Sequence, residues 1–255
     1  MRPNLTGYFS SSVWVRPFLI LLVATTLSSN PGMAQTNSPP THQARWIPKN
    51  PKIDGFAEPV CWKDIAPLSA LVLPHAQGTS SHPTEVHLAY TDTHLYCFVK
   101  AYEKNMAGIV TNTVKHDGPV YDDDCVELFI DPGQTKSTYY QFAVNAVGTR
   151  LDAYDTPEIQ KLTPFSEWLK GIWAFNGEWQ SATTQGSNYW TCEIGIPWKT
   201  IGVTNVSTNL TFGFEFARLR KQNSSEWSQW SPTYGWNHKV DRYGTLTLSG
   251  PQLKK

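Results

Sequence analysis

The chain has 255 residues, with 21 basic side chains against 21 acidic ones, and only 16% of its residues are charged. So balanced and weakly charged a chain has no electrostatic drive toward nucleic acid or an anionic membrane surface, which excludes those two classes of partner. Eleven Trp, 11 Tyr and 11 Phe suit a β-rich chain and also a surface that stacks on flat ligands.

In chain order, Arg2 and Arg16 precede an apolar run over 18–27, and the small residues Gly32 and Ala34 follow. This is the pattern of an export signal over residues 1–34, cleaved near Ala34-Gln35, and it predicts a secreted or periplasmic, extracytoplasmic protein. The run is too short to span a bilayer comfortably; an uncleaved N-terminal anchor is the competing reading. Residues 35–45 are polar and Pro-rich, the composition of a linker. One folded domain is expected over 46–250.

Alternating apolar patterns predict strands over 85–90 and 94–102, joined as a hairpin through Thr91-Asp92-Thr93. Further strands are predicted over 125–131, 139–145, 151–154, 179–184, 189–196, 210–220 and 244–248, with one helical turn over 197–202 stopped by Gly202. So many short strands punctuated by Gly, Pro, Asn and Asp fit an all-β, antiparallel β-sandwich, immunoglobulin-like or jelly-roll-like, in a single domain. Cys61, Cys97, Cys125 and Cys192 read as buried thiols or as one or two disulfides; spacing does not choose between them.

Charge and apolar character meet in the stretch from Tyr121 to Asp131. Asp122, Asp123 and Asp124 repel one another and are expected to stay in water, whereas the residues after them read as a buried strand. A two-residue period sends Val126, Leu128 and Ile130 to the core and Cys125, Glu127 and Phe129 to the other face. By the same rule Tyr140, Phe142 and Val144 face the core, and Gln141 and Asn145 do not. If these two strands pair, a carboxylate and two amides share one face. That face is either solvated or a hydrogen-bonding surface for hydroxyls. Arg218 and Arg220 read as surface residues at a strand end or as partners of the acidic loop.

No motif for nucleophilic, nucleotide-dependent or zinc chemistry is present: the chain has no GxSxG, P-loop, HExxH or CxxC. Two carboxylates for glycoside hydrolysis could be drawn from Asp122, Asp123, Asp124 and Glu127, but nothing sets them at a defined separation.

The order of several short segments is more specific than any one of them. Ile53-Asp54-Gly55 with Glu58 and Trp62 comes first, then DTHLYCFV over 92–99, DCVELFID over 124–131 and YQFAVNAVG over 140–148. WTCEIGIPWKTIG over 190–202, FGFEFARLR over 212–220, and Trp230 with Tyr243-Gly244-Thr245-Leu246 complete the series. In this the chain resembles the family 9 carbohydrate-binding modules, whose fold is a DOMON-like β-sandwich.

The resemblance implies a non-catalytic protein that holds a sugar or a polysaccharide chain end between aromatic side chains and serves polysaccharide catabolism beside glycoside hydrolases. It puts the aromatic clamp at Tyr121 and Trp236 and matches Glu127 and Asn145 to hydroxyl-binding positions. With Gln141 from the face assignment, these are the expected carbohydrate-binding residues, and no catalytic residue is assigned. Ala143 and Ala217 stand where such modules carry arginine and glutamine, which sets the usual sugar specificity aside. The family also implies a structural calcium, with Asp122, Asp123 and Asp124 as candidate ligands against the solvated-loop reading. Of the three nearby tryptophans, Trp230 reads as packing and Trp236, in a turn, as offered to a ligand, with Trp227 beside them. Two other readings stay open. Similar sandwiches in exported electron-transfer proteins hold haem, for which Met106 and His116 would be the axial ligands, and Glu127 could serve a glycosidase.

Overall fold

The computed structural model describes residues 38–251. The expected signal segment over 1–34 lies outside them. Among the described residues no helix is long and apolar enough to cross a membrane.

Eleven strands form the described domain: β1 (Thr41–Trp46), β2 (Thr84–Tyr90), β3 (His94–Tyr102), β4 (Cys125–Asp131), β5 (Tyr139–Asn145) and β6 (Arg150–Asp155), then β7 (Gln180–Gln185), β8 (Tyr189–Pro197), β9 (Thr211–Arg220), β10 (Glu226–Gln229) and β11 (Gly244–Ser249). A four-residue helical turn α1 (Pro59–Trp62) and a helix α2 (Phe165–Ile172) lie outside the strands.

The ladder runs β6-β5-β4-β9-β11-β1-β2-β3-β8-β7, with β10 paired to β9. Every pairing is antiparallel except those of β1, which runs parallel to both β11 and β2 and joins the two halves. The inner faces of the halves share one core. Val126, Leu128 and Ile130 of β4 and Phe212, Phe214 and Phe216 of β9 meet Leu88, Val99, Trp190 and Ile194 of the opposite half there. This is the expected β-sandwich in a single domain. β1 corrects both the wholly antiparallel pairing and the linker over 35–45, because residues 41–46 are a strand. Its sequence hides this, since Ala44 is its only fully buried residue and no apolar alternation results.

The strand expectations agree with the observed ones to within a residue or so. The turn after β8 is a short 3-10 segment ended by Gly202 at φ +72°, the left-handed conformation that favours glycine. All four cysteines are free and buried.

Two charge assignments are corrected. Asp123 and Asp124 are fully buried, and of the three aspartates only Asp122 is exposed. Asp123 accepts from Asn112 N (2.8 Å) and Thr113 N (3.0 Å), and Asp124 from Val110 N (2.8 Å), so both carboxylates tie down the preceding loop. Arg218 and Arg220 are also buried. Arg218 lies between the halves and donates to Tyr102 O (2.8 Å), Thr84 Oγ1 (3.1 Å), Pro83 O (3.2 Å) and His82 O (3.3 Å). Arg220 Nε pairs with buried Glu103 at 2.6 Å. Both arginines lie on the face of β9 that carries Phe214 and Phe216, and the carbonyls at that strand end make a buried guanidinium tolerable.

Arg218→Met would keep the stem packed but strand several acceptors between the sheets. A loss of about 3 kcal/mol in a urea unfolding titration is expected; an unchanged midpoint would show that the guanidinium ties nothing together.

Candidate functional site

Strand β4 is buried along all seven residues. The face away from the core must therefore also be covered. Cys125 of β4, Ala143 of β5 and Leu151 and Ala153 of β6 pack there against Trp168 and Ile172 of α2. In α2, Phe165, Trp168, Leu169 and Ile172 recur at i, i+3, i+4 and i+7, the spacing of an amphipathic helix. Glu167 in its first turn and Lys170 in its last suit the helix dipole. Gly171 sits inside the helix because a Cβ there would lie 2.9 Å from both Ile159 Cγ2 and Leu162 Cδ1.

The cover does not fill the space over β4. A cavity of about 270 Å³ remains, with Glu127, Gln141, Leu219 and Lys221 on the strand side. Phe165, Trp168, Leu169, Ile172 and Trp173 of the helix region close another side, and Tyr121, Trp227, Trp236, Asn237 and His238 complete the wall. Tyr121 stacks on Trp173 with ring centroids 6.2 Å apart. Trp236 keeps 49% of its surface exposed, packed against His238 at 4.4 Å and Trp168 at 5.3 Å.

Glu127 lies at the centre of the polar contacts. Gln141 Nε2 donates to its Oε1 and Asn237 Nδ2 to its Oε2, both at 3.1 Å, and Asn237 Oδ1 in turn accepts from Trp227 Nε1 at 3.1 Å. In the ladder Glu127 stands opposite Ala143 on one side and Ala217 on the other. Burial therefore raises its carboxyl to about 7, and the two amides only partly oppose this. His238 takes the opposite shift: burial lowers it to about 3, so the imidazole is neutral beside the hydroxyl of Tyr139.

Four of the five expected residues, Tyr121, Glu127, Gln141 and Trp236, thus line one cavity. Asn145 does not. It shares their face, but its Nδ2 donates to Asp123 Oδ2 (2.8 Å) and Thr113 O (3.0 Å), and its Oδ1 accepts from Thr149 N (2.7 Å). Those bonds hold the loop before β4 and the turn after β5. The lining residues not foreseen are those of α2 with Trp173, then Leu219, Lys221, Asn237 and His238; Trp227 was noted without an assigned role. The apolar spacing of 165–172 was a usable signal for the helix. Trp230 is core, packed on Phe214 at 5.8 Å.

In the acidic run both oxygens of Asp123 receive N–H donors and Asp124 Oδ2 accepts from Val110 N, whereas Asp124 Oδ1 is buried without a partner and Asp122 is exposed. The two haem-ligand candidates are not free. Met106 packs against the inter-sheet core, and both ring nitrogens of His116 face carboxylates, Asp117 at 2.9 Å and Asp152 at 3.5 Å. His116, Asp117 and Asp152 cluster closely, but Asp152 already accepts from Trp179 Nε1 (3.0 Å) and Gly177 N (2.7 Å).

Several buried carboxyls make stability depend on pH. Burial raises Glu127 and Glu193 from 4.5 to about 7, and Glu215 well above its ordinary value. Between pH 4.5 and about 7 the native state thus binds more protons than the unfolded chain, and stability falls as pH rises through that window. His238, lowered from 6.5 to about 3, opposes this by removing stability as pH drops below 6.5. Burial lowers His42 and His94 as well, so the Glu127 contribution is read as a difference. From about pH 5 to about 7 the melting temperature of Glu127→Gln should rise relative to that of the wild type, and a constant difference would contradict the assignment.

Comparison with known proteins gives one family and three similar solved structures. The model of a family described as "Carbohydrate family 9 binding domain-like" matches residues 53–251. A candidate carbohydrate-binding protein from Bacteroides uniformis superposes with a TM-score of 0.63 at 18% identity, covering 83% of this chain and 100% of its own. A carbohydrate binding module of family 9 from Caldicellulosiruptor kristjanssonii, solved with cellotriose, gives 0.57 at 16% identity, covering 83% of this chain and 94% of its own. With glucose, a module of the same description gives 0.57 at 14%, covering 82% and 97%. No curated protein matches the chain.

Proposed function

The chain belongs to the carbohydrate family 9 binding domain-like family, and on that premise we propose that it is an exported, non-catalytic protein that holds a sugar ring at the end of a carbohydrate in the cavity over β4. The observation that carries this is the pairing of aromatic walls with one buried hydrogen-bonding group. Tyr121, Trp173, Trp227 and Trp236 offer ring faces to the C–H face of a pyranose, and Glu127 with its two amides offers partners for hydroxyls. A volume of about 270 Å³ lies at the small end of ligand cavities and suits one ring rather than a chain passing through.

A carboxyl near half-protonation can accept from one hydroxyl or donate to another, so Glu127 suits the mixed donors and acceptors of a sugar. Binding without cleavage is supported by the lining, where Glu127 is the one carboxylate among the described residues and hydrolysis uses a pair. The family 9 structures with cellotriose and glucose make gluco-configured sugars the first ligands to try. The apolar run over 18–27 supports export, and with it a place in extracytoplasmic polysaccharide breakdown beside separate glycoside hydrolases.

Calorimetry with glucose and cellotriose should show binding, and Trp236→Ala should weaken it roughly tenfold while sparing the melting temperature, because that side chain is half exposed. Folded protein that binds no sugar sinks the reading. Aryl glycosides should release no aglycone; release that disappears in Glu127→Gln would make the protein a glycosidase instead.

A further inference from the structure

Three consecutive residues, Trp236, Asn237 and His238, line the cavity over β4, and each is fixed differently. Trp236 stays half exposed, and Asn237 Nδ2 donates to Glu127 Oε2 at 3.1 Å. His238 Nδ1 meets the hydroxyl of Tyr139, which itself donates to Asp155 Oδ2 at 3.1 Å. Trp168 Nε1 donates to the same oxygen at 3.3 Å. An oxygen that receives two donors carries no proton of its own, and a phenol has only one proton to give. Tyr139 therefore gives its proton to Asp155 and accepts from His238, which sets the hydrogen of the neutral imidazole on Nδ1.

The other ring nitrogen is then an acceptor. Burial holds His238 down to about 3, so Nε2 keeps its lone pair. Among the described residues no protein group donates to Nε2, and it is not one of the fully buried polar atoms left without a partner. It opens onto the space that the ring borders. The two nitrogens of an imidazole point in nearly opposite directions. Nδ1 is directed toward Tyr139 and Asp155, and Asp155 lines the groove on the far side of Trp168 and Trp236, not the cavity. Nε2 is left to the cavity side, next to Trp236, whose ring centroid lies 4.4 Å from that of His238.

We infer that His238 is a specificity-determining residue: its Nε2 accepts from a ring hydroxyl of the sugar in the cavity over β4, so the ligand must carry a free hydroxyl at that ring position. This rests on the carbohydrate-binding reading of the cavity. Glu127 can accept from a hydroxyl or, when protonated, donate to one, whereas Nε2 can only accept. Tyr139 and Asp155 act through His238 and do not touch the sugar; they fix which nitrogen is bare. A ring with hydrogen, fluorine or an ether in place of that hydroxyl is refused, because it displaces water from Nε2 and gives no donor in return.

The test uses the whole folded protein. Nitrogen NMR of the histidine rings should show His238 protonated at Nδ1 and bare at Nε2, and added glucose should shift the Nε2 resonance. By calorimetry, at least one member of a series of deoxyfluoro-glucoses should bind about tenfold or more weakly than glucose, since fluorine cannot donate. His238→Asn keeps an N–H for Tyr139 but has no counterpart of Nε2. In it glucose itself should weaken about as much, and for that member the difference from glucose should vanish. A hydrogen on Nε2 in the free protein, glucose bound with no shift at Nε2, or a series in which every difference persists in His238→Asn overturns the inference and leaves the cavity a sugar site. Folded wild-type protein that binds neither glucose nor cellotriose overturns the carbohydrate reading and this inference with it.

Discussion

The burial of β4 on both faces governs the rest of this structure. A central strand with Val126, Leu128 and Ile130 on one side and Cys125, Glu127 and Phe129 on the other needs two covers. The opposite half of the sandwich supplies the first. The second is assembled from α2 and the segment reaching back from Trp227 to Tyr243, and neither is long enough to tile the whole face. The space left over lies above Glu127, so the least easily buried residue of the strand becomes the floor of a cavity.

Two side chains on that face show what separates a structural polar group from one with capacity to spare. Asn145 has its amide protons directed at Asp123 and Thr113 and its oxygen shared by turn N–H groups. A ligand could engage it only by breaking those bonds. Glu127 has one amide on each oxygen and a cavity beside it. Because alanines flank it on both neighbouring strands, no guanidinium from them compensates its charge, and burial outweighs the opposing amides of Asn237 and Gln141 and the charge of Lys221. The small flanking residues thus affect both the shape of the cavity and the state of the carboxyl within it.

The other charged residues of the chain are mostly used for closure. Asp123 and Asp124 gather the loop before β4, and Arg218 and Arg220 fasten the ends of β2 and β3 to β9. Each is a buried ionisable group surrounded by backbone donors or carbonyls, the arrangement that offsets desolvation. These groups hold the sheet ends in place around the site and leave none of their own charge pointing into it.

The amino-acid sequence by itself determined the strand pattern, the sandwich, the inward and outward faces of β4 and β5, and four residues of the cavity, because a two-residue period and a set of ordered motifs are local properties of the chain. It did not reveal β1, whose single buried alanine carries no period, and it left α2 unread although Phe165, Trp168, Leu169 and Ile172 spell its face. It also placed Asp123, Asp124, Arg218 and Arg220 in water, since alternation and charge say where a side chain points but not which carbonyls and N–H groups will meet it. Only the tertiary structure decided that Asn145 is saturated and Glu127 is not. The difference lies in partners 22 to 110 residues away in sequence, Asp123 and Thr113 for one and Asn237 for the other, and no local pattern reports such distant partners.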